Sequence, residues 1–555
     1  MTQLSEERAR RVRTWILVAA AIAFAALRAP FLSLPLERDE GEYAYVAWRM
    51  LEGEVPYRDA FDQKPPGVFV AYLGAFLLLG RSTEAIHLFA HLWSAGTAVL
   101  LFLLLRRLAG EVAAALGVLV FAVVSTDAAL GATAANTEIF MLLPMVASLL
   151  CLERAVAEER ARWWLACGAL AAAACWFKQV AGTNVLFLGL VAALDVPAAG
   201  ARGRARLILR RYAWLMLGAL ALSVPVVAAF AAAGALQPFL DAVFLHNLEY
   251  SQRKSLGQGL ASLGVALRRQ GPGFAVFWVL ALWAALRPLR PGLPGRRAWG
   301  LLAGWWVASL AGTALGLHFR PHYFIQALPA LAGLCGLALA AVARPILARP
   351  EPRLAWGGIA LLVLLVLVPP VIASRSILFA GSPEAISRRI YGLNPFPEAV
   401  QIASYVARTS EPDESVYVVG SEPQIFFYAE RRSATRYIYF YPLTGGYPDA
   451  PERQREAIRE VEASRPRYVV WVNVPTSLLS ADGSDPYIFE ATNALLRREY
   501  RLEFVVRLDE RLETYEFVYG SEALRWVVDP RTDLQGLPWL AVYRRIGLRS
   551  DSRLR

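Results

Sequence analysis

Side chains able to move a proton or hold an anion recur in four short stretches of an otherwise apolar sequence. The first, ERDEGEYAYVAWRMLEGEVPYRDAFDQKPPG from Glu37, carries Asp39 and Glu40 directly after an apolar run. A carboxyl partly dehydrated at such a mouth has its pKa raised toward that of a useful general base. The same residues admit a plainer reading, in which Asp39 is an N-cap and Glu42 its capping-box partner. At the end of this stretch Lys64 precedes Pro65 and Pro66. The prolines restrict the backbone, so the ammonium either binds a phosphate at the headgroup level or snorkels to the interface. The second stretch, GATAANTEIF, offers Asn136, Thr137 and Glu138, with Glu138 also suited to a helix N-terminus. The third, CWFKQVAGTN, sets Lys178 and Gln179 between two apolar runs, either in a tight hairpin or within a cavity. The fourth, LHFRPHYFIQALP, concentrates His318, Arg320, His322 and Tyr323. Two histidines at i and i+4 can share a helix face and ligate a metal, but Pro321 between them weakens that geometry and favours hydrogen bonding to phosphate.

The elements that position these groups follow from the solvent the chain needs. Of 555 residues 56% are hydrophobic and 19% charged, and the mean hydropathy is +0.40, too apolar for an ordinary soluble protein of this length. Apolar stretches near the roughly 20 residues needed to span a bilayer run over Thr14–Leu34, Glu84–Leu105, Val112–Leu130, Ile139–Leu152, Trp163–Phe177, Val180–Leu194, Tyr212–Leu236, Pro272–Leu286, Ala298–Leu317, Tyr323–Val342 and Leu354–Ala373. The basic N-terminus leads into the first of these, read as a retained span. Arginine clusters at Arg8–Arg13, Arg106–Arg107, Arg154–Arg162, Arg202–Arg211, Arg287–Arg297 and Arg344–Arg353 then fall on one side, the cytoplasmic side by the positive-inside rule. This alternation requires Pro66–Gly80 to be an interfacial helix rather than a span. The formal charge of +11 is thereby a record of topology rather than a nucleic-acid footprint. Cys151, Cys167, Cys175 and Cys335 all lie in apolar segments and offer neither a disulfide framework nor a zinc cluster.

The helical spacing of Asp39–Leu51 places Tyr43, Val46, Ala47, Met50 and Leu51 on one face, with Gly53 to end it, and predicts a helix lying flat on the membrane. The external stretch Gln237–Gln270, with His246, Asn247, Glu249, Tyr250, Arg253 and Lys254, reads as another interfacial helix. After Ser374 the composition becomes mixed and charged. Residues 375–555 then form a soluble domain and 1–374 the transmembrane module. Runs such as SVYVVG from Ser415, RYIYFY from Arg436 and RYVVWV from Arg467 alternate with helical patterns at Pro451–Ser464 and Tyr487–Arg498, predicting a small α/β domain with a largely parallel sheet. An odd number of spans puts that domain outside the cytoplasm.

The DEGEYAYVAWRMLEG helix, the DQKPPG turn, the NTE loop, the WFKQ hairpin and the HFRPHYFIQALPAL span together resemble the polytopic GT-C glycosyltransferases, in the bacterial branch related to protein O-mannosyltransferases and the lipid A aminoarabinose transferase. The resemblance runs through essentially the whole chain. It implies a polytopic α-helical membrane protein of about eleven transmembrane helices plus interfacial helices, with a C-terminal extracytoplasmic α/β domain. It also implies transfer of a sugar from a polyprenyl-phosphate donor, in bacteria usually undecaprenyl phosphate, on the periplasmic side of the cytoplasmic membrane. In the family an acidic residue of the first loop is the base, and Asp39 matches it; Lys64 matches the lysine that holds the carrier phosphate. Related enzymes place an acidic residue before KPP that helps coordinate a metal. This chain has Gln63 there, so a divalent cation stays open, and no other cofactor is read from the sequence. No WWDYG-type sequon-reading motif is present.

The chemistry fits the residues themselves. A phosphate leaving group needs no general acid, only a base for the acceptor hydroxyl and cations for the departing charge. Asp39 is assigned as base with Glu40 or Glu138 in support, and Lys64, Lys178, His322, Arg320 and Tyr323 as donor-phosphate ligands, in a displacement that inverts the anomeric centre. The acceptor stays open among lipid A, an envelope polysaccharide, a protein and another lipid. Membrane lipid is the other partner. A transporter or flippase is the rival from a different class and would place its polar groups near the bilayer midplane; a noncatalytic receptor would leave the gathered acids and bases unexplained.

Overall fold

A computed structural model of the chain describes residues 3–196, 200–269, 272–290, 295–509, 514–528 and 538–547. The chain divides into two compact units, one made of residues 1–33, 63–236 and 243–383, the other of residues 34–62, 237–242 and 384–555.

The first unit is helical. Each of the eleven expected apolar segments falls on a helix. Among the described residues seven helices are long and apolar enough to cross a membrane, and shorter apolar helices occupy Gly67–Leu79, Glu111–Val124, Ala161–Phe177 and Gln179–Leu194. The helices starting at Thr137 and Leu328 form the centre: 83% of the apolar stretch of each is buried, against 11% for Ala201–Ala232, whose side chains are left for lipid. Thr137–Glu158 packs on Thr83–Ala109 and Ala161–Phe177, while Leu328–Leu347 packs on Glu111–Val124 and Pro272–Ala285. The long apolar stretch Pro66–Gly80 forms the helix Gly67–Leu79.

One end of this helical unit collects the arginines. Arg297 binds Glu153 at 2.8 and 2.9 Å and Asp195 at 2.9 Å, Arg211 pairs with Glu159 and donates to the Asp195 carbonyl at 2.9 Å, Arg13 meets Glu111, and Arg8 donates to the Arg349 carbonyl at 2.7 Å. Loops far apart in sequence are thereby joined at one end, as the alternation of positive clusters requires. Glu138 opens the helix that carries Glu153 in its last turns. At 1.5 Å per residue the two carboxylates lie over about 20 Å apart along the axis, so Glu138 marks the opposite end.

The expected interfacial helix over Gln237–Gln270 is broken instead. It runs as short pieces at Leu236–Leu240, Asp241–Leu245 and His246–Ser251, the second a π-turn, followed by Leu256–Arg269. Single π-turns within helices are frequent at functional sites.

The second unit carries one five-stranded sheet in the order β1-β2-β5-β3-β4, with β1 Val416–Val419, β2 Tyr468–Asn473, β3 Tyr500–Asp509, β4 Thr514–Tyr519 and β5 Trp539–Arg545. Among the described residues only β1 and β2 run parallel; β5 lies antiparallel between β2 and β3, and β3 pairs antiparallel with β4. The largely parallel sheet expected from sequence is thus mixed. Insertion of the last strand beside β2 is a long-range pairing that local alternation does not encode. Tyr437, Ile438, Tyr439 and Phe440, expected in a strand, are buried in irregular backbone. The helices at Ala450–Ser464 and Tyr487–Glu499 fall where the periodicity places them.

The first-loop helix, Arg38–Leu51, belongs to this second unit and not to the spans that flank it in sequence. Its apolar residues Tyr43, Ala44, Tyr45, Val46 and Ala47 are buried, and it packs on the helix Gln424–Ala429, with Tyr45 and Phe426 ring centroids 5.3 Å apart. The expectation of a helix laid flat on lipid is corrected for most of that face: Tyr43, Val46 and Ala47 are taken by protein, while Leu51 at its end stays 46% exposed. Gly53, with φ of 88°, follows the end of the helix as expected.

Candidate functional site

Within the helical unit the structure brings Glu138, Lys178, His322 and Tyr323 together. Lys178 caps the helix Ala161–Phe177, and the next helix begins at Gly182, so the WFKQ segment is a tight hairpin. The Lys178 ammonium is buried against the Glu138 carboxylate and lies 4.1 Å from the centre of the Tyr323 ring. His322 Nε2 approaches the same carboxylate oxygen to 3.8 Å, and Thr137 Oγ1 donates to the other oxygen at 2.8 Å. Glu138 is therefore the hub of the cluster: it is 1% exposed and turns one oxygen toward both Lys178 and His322. A carboxylate so placed orients its partners through charge-assisted hydrogen bonds.

Tyr250, named only as part of a helix in the sequence reading, proves to support this cluster. Tyr250 Oη lies 3.3 Å from Tyr323 Oη, and the Tyr250 ring stacks on His318 with centroids 4.0 Å apart and planes at 1°. His318 Nε2 bonds the Tyr250 carbonyl at 3.1 Å. Burial lowers the His318 pKa, and the charges of Lys254, Arg320 and Arg253 lower it further, so this imidazole is a neutral stacking partner. His318 and His322 consequently face different neighbours, and among the described residues no group of three or more His, Cys, Asp or Glu is arranged to hold a metal ion. Arg320 is exposed and acts by charge on Lys254 and His318; of the expected phosphate ligands, Lys178, His322 and Tyr323 are gathered about Glu138.

The KPPG turn is docked by its neighbours. Asn247 Nδ2 donates to the Gln63 carbonyl at 2.6 Å and to the Val243 carbonyl at 2.9 Å, while Gln179 Nε2 donates to that same Val243 carbonyl at 3.0 Å. Gly67 lies against the end of the Ala161–Phe177 helix: a Cβ there would stand 2.6 Å from the Trp176 carbonyl oxygen. Only glycine permits that approach. The backbone on both sides of Lys64 is thereby tied to the Lys178 hairpin.

Beside this turn opens a cavity of about 820 Å³, lined by Pro65, Trp176, Gln179, Leu186, Leu215 and Val243 among others, nearly all apolar. It lies among the helices Ala161–Phe177, Gly182–Leu194 and Ala201–Ala232. Leu186, Leu190 and Met216 on its wall are exposed. Pro65 and Gln179 line it, each the immediate chain neighbour of a lysine, Lys64 and Lys178.

Asp39 and Glu40 lie in the other unit, in the first turn of the first-loop helix. The expected Asp39–Glu42 capping box is displaced by two residues: Glu37 is the N-cap and Glu40 its partner, accepting from the Glu37 N–H at 3.1 Å. The helix starts one residue earlier than Asp39, so Asp39 lies inside the first turn and is not the N-cap. Burial, with Asp39 and Glu40 close by, raises the Glu37 pKa well above the ordinary carboxylate range. Glu37, Asp39 and Glu40 all raise the hydroxyl pKa of Tyr391, and Glu42, Asp62 and Asp39 raise that of Tyr439, in both cases after burial as the first cause. Burial and this acidic neighbourhood hold both hydroxyls well above the ordinary phenol range. Sequence reasoning passed over Glu37, Asp62, Tyr391 and Tyr439. Asp62, next to the KPP turn, was the detectable one.

Residues 63–229 match the family model for dolichyl-phosphate-mannose-protein mannosyltransferase. No curated protein matches the sequence. Among solved structures, ArnT from Cupriavidus metallidurans bound to undecaprenyl phosphate is similar over 83% of this chain and 93% of its own, at 19% identity and a TM-score of 0.58. The archaeal oligosaccharyltransferase AglB from Archaeoglobus fulgidus, in complex with an inhibitory peptide and a dolichol-phosphate, is similar over 92% of this chain and 74% of its own, at 12% identity and a TM-score of 0.53. The order of helices, the placement of a small sheet domain after them and these likenesses agree, and the chain has the GT-C fold.

Proposed function

We propose that this protein is a membrane glycosyltransferase that takes its sugar from a polyprenyl-phosphate donor and passes it to an acceptor outside the cytoplasm. The observation that carries the reading is the apolar cavity of about 820 Å³ whose wall includes Pro65 and Gln179, the neighbours of Lys64 and Lys178. An isoprenoid chain needs an apolar groove, and its phosphate needs cations at the end of that groove. ArnT and AglB, to which the chain is similar in fold, are described with undecaprenyl phosphate and dolichol-phosphate. The arginine-rich end of the helical unit is the cytoplasmic one on this reading, which puts Glu138 and Lys178 on the periplasmic side.

In the reaction the acceptor hydroxyl oxygen forms a bond to the anomeric carbon while the bond from that carbon to the carrier phosphate oxygen breaks. The electron pair stays with the phosphate, and the hydroxyl proton goes to the Asp39 carboxylate. Attack opposite the leaving group inverts the anomeric centre. Lys64, Lys178 and His322 stabilise the departing charge. Glu138 balances Lys178, so the net positive charge toward phosphate comes from Lys64 and from protonated His322. Tyr323 orients Lys178 through its ring face. Glu40 caps its own helix and supports Asp39 by position. Arg320 and Lys254 give the approach a positive field.

The test is release of free carrier phosphate by the purified protein in lipid, offered a panel of undecaprenyl-phosphate sugars and candidate acceptors, with Asp39→Asn alongside. Turnover of a donor by the parent and a loss of about 10² to 10⁴-fold in the variant are expected. Full activity in Asp39→Asn removes the base assignment, and absence of donor binding by the parent removes the function.

A further inference from the structure

The first-loop helix is gripped by the C-terminal part of its own unit at four points around Asp39. The Leu36 N–H donates to Tyr428 Oη at 2.8 Å. Arg38 donates through Nε to the Ser421 carbonyl and through Nη2 to Glu422 Oε1 at 2.7 Å. Gly41 lies against Gln424, where a Cβ would come within 2.5 to 2.8 Å of that residue's Cβ, N and Cα. Tyr45 Oη accepts the Ser433 N–H at 2.9 Å.

The receiving side is itself rigid. Ser421 and Glu422 follow β1 directly after Gly420. The Ser421 N–H donates to Ser477 Oγ at 2.8 Å, and Ser421 Oγ accepts the Phe440 N–H at 2.9 Å. Glu422 is 0% exposed, and its second oxygen accepts Gln424 Nε2 at 2.6 Å. Helix packing through Gly41 and Tyr45 would suffice to hold the helix on the domain. A buried ion pair adds little net stability over an apolar contact of the same size, but its planar, two-point geometry fixes orientation. Arg38 is the residue immediately before Asp39, so what it orients is the first helical turn, where the proposed base sits.

We propose that Arg38 and Glu422 are positioning residues for Asp39, through which the loop after β1 makes the C-terminal domain part of the catalytic apparatus. The inference rests on the reading of Asp39 as the base. A misplacement of about 1 Å at a reacting group costs on the order of 10²-fold in rate.

The test uses the full chain in lipid nanodiscs with Glu422→Gln, the milder Arg38→Lys, and Glu503→Gln as a control that breaks Arg501, Arg544 and Tyr405 contacts elsewhere in the same domain. Two quantities are read: kcat and KM for the carrier-linked donor, and hydrogen exchange of the amides over 38–42. Expected for Glu422→Gln is a kcat lower by about 10 to 100-fold, KM within about twofold, and exchange at least about tenfold faster. Arg38→Lys, which keeps the charge and loses the fork, should give the same pattern in weaker form, while Glu503→Gln should move neither quantity. Faster exchange with an unchanged kcat overturns the positioning role, and unchanged exchange overturns the anchoring itself. If Asp39→Asn is fully active, the base reading falls instead, and the exchange result still reports on the grip.

Discussion

Loss of Lys178 should unsettle this protein far more than the loss of one surface lysine, because its partner is left behind in a dry place. Glu138 is 1% exposed and Lys178 8%. Removing one member of a buried ion pair costs about 3–5 kcal/mol, since the other charge stays buried and uncompensated. The ring contact with Tyr323 adds roughly 0.5–2 kcal/mol, and Thr137 and His322 recover part of the loss by staying close to Glu138. Lys178→Met is therefore expected to destabilise by about 3–5 kcal/mol. The double variant Glu138→Gln/Lys178→Met, which leaves no buried charge, should lie within about 2 kcal/mol of the parent, giving a coupling of at least about 1 kcal/mol in the cycle before the cost of Glu138→Gln alone is counted. Cys167 and Cys335 are 0% exposed and report unfolding through a thiol-reactive dye in a thermal ramp, while tryptophan fluorescence in denaturant supplies the free energies. A Lys178→Met single variant within about 1 kcal/mol of the parent would refute the claim that the pair is buried and coupled. The double variant also separates fold from function: it should be stable yet slow, because Lys178 is a proposed ligand of the departing phosphate.

Three further outcomes follow from other parts of the molecule. Filling the apolar cavity with Ala219→Trp or Ala172→Trp should raise KM for long-chain polyprenyl donors at least about tenfold and leave donors with a short prenyl tail within about threefold, read in the phosphate-release assay. Gly67→Val should lower activity severely and raise protease sensitivity, because its branched side chain meets the Trp176 carbonyl where a Cβ alone would stand at 2.6 Å; Gly53→Ala, in open space, should cost only its backbone strain. Glu37, whose pKa folding raises, contributes stability that is fully present below its unfolded value of about 4.3 and is lost as pH rises through the folded value. Glu37→Gln should therefore raise the Tm relative to the parent at pH 8 and leave it nearly unchanged at pH 4; equal shifts at both values would contradict the burial of this carboxyl.

The spans, their arginine-rich end and the start of the mixed C-terminal sequence were legible because each reflects the solvent a residue meets, and a bilayer imposes that requirement over 20 residues at a time. The DQKPPG, WFKQ and HFRPHYF segments stood out for the same reason: charge is costly amid apolar sequence, so its presence there demands a use. Partnership was another matter. That Lys178 answers Glu138, 40 residues away, and that Arg38 answers Glu422, 384 away, depends on how helices pack, and periodicity records which face of a helix is dry without saying what dries it. So the first-loop helix, read as amphipathic, was assigned to lipid when most of its apolar residues belong to Phe426 and its neighbours. The sheet shows the same limit: β1 and β2 were visible as β-rich runs, while the antiparallel insertion of Trp539–Arg545 between β2 and β3 is a choice among pairings of similar local propensity that only the assembled core decides. Sequence alone determined that this is a polytopic membrane protein with acidic and basic side chains set among its apolar segments and a small α/β domain after them. Tertiary structure decided which charges neutralise each other and which domain holds Asp39, because those energies exist only between residues that the folded chain brings into contact.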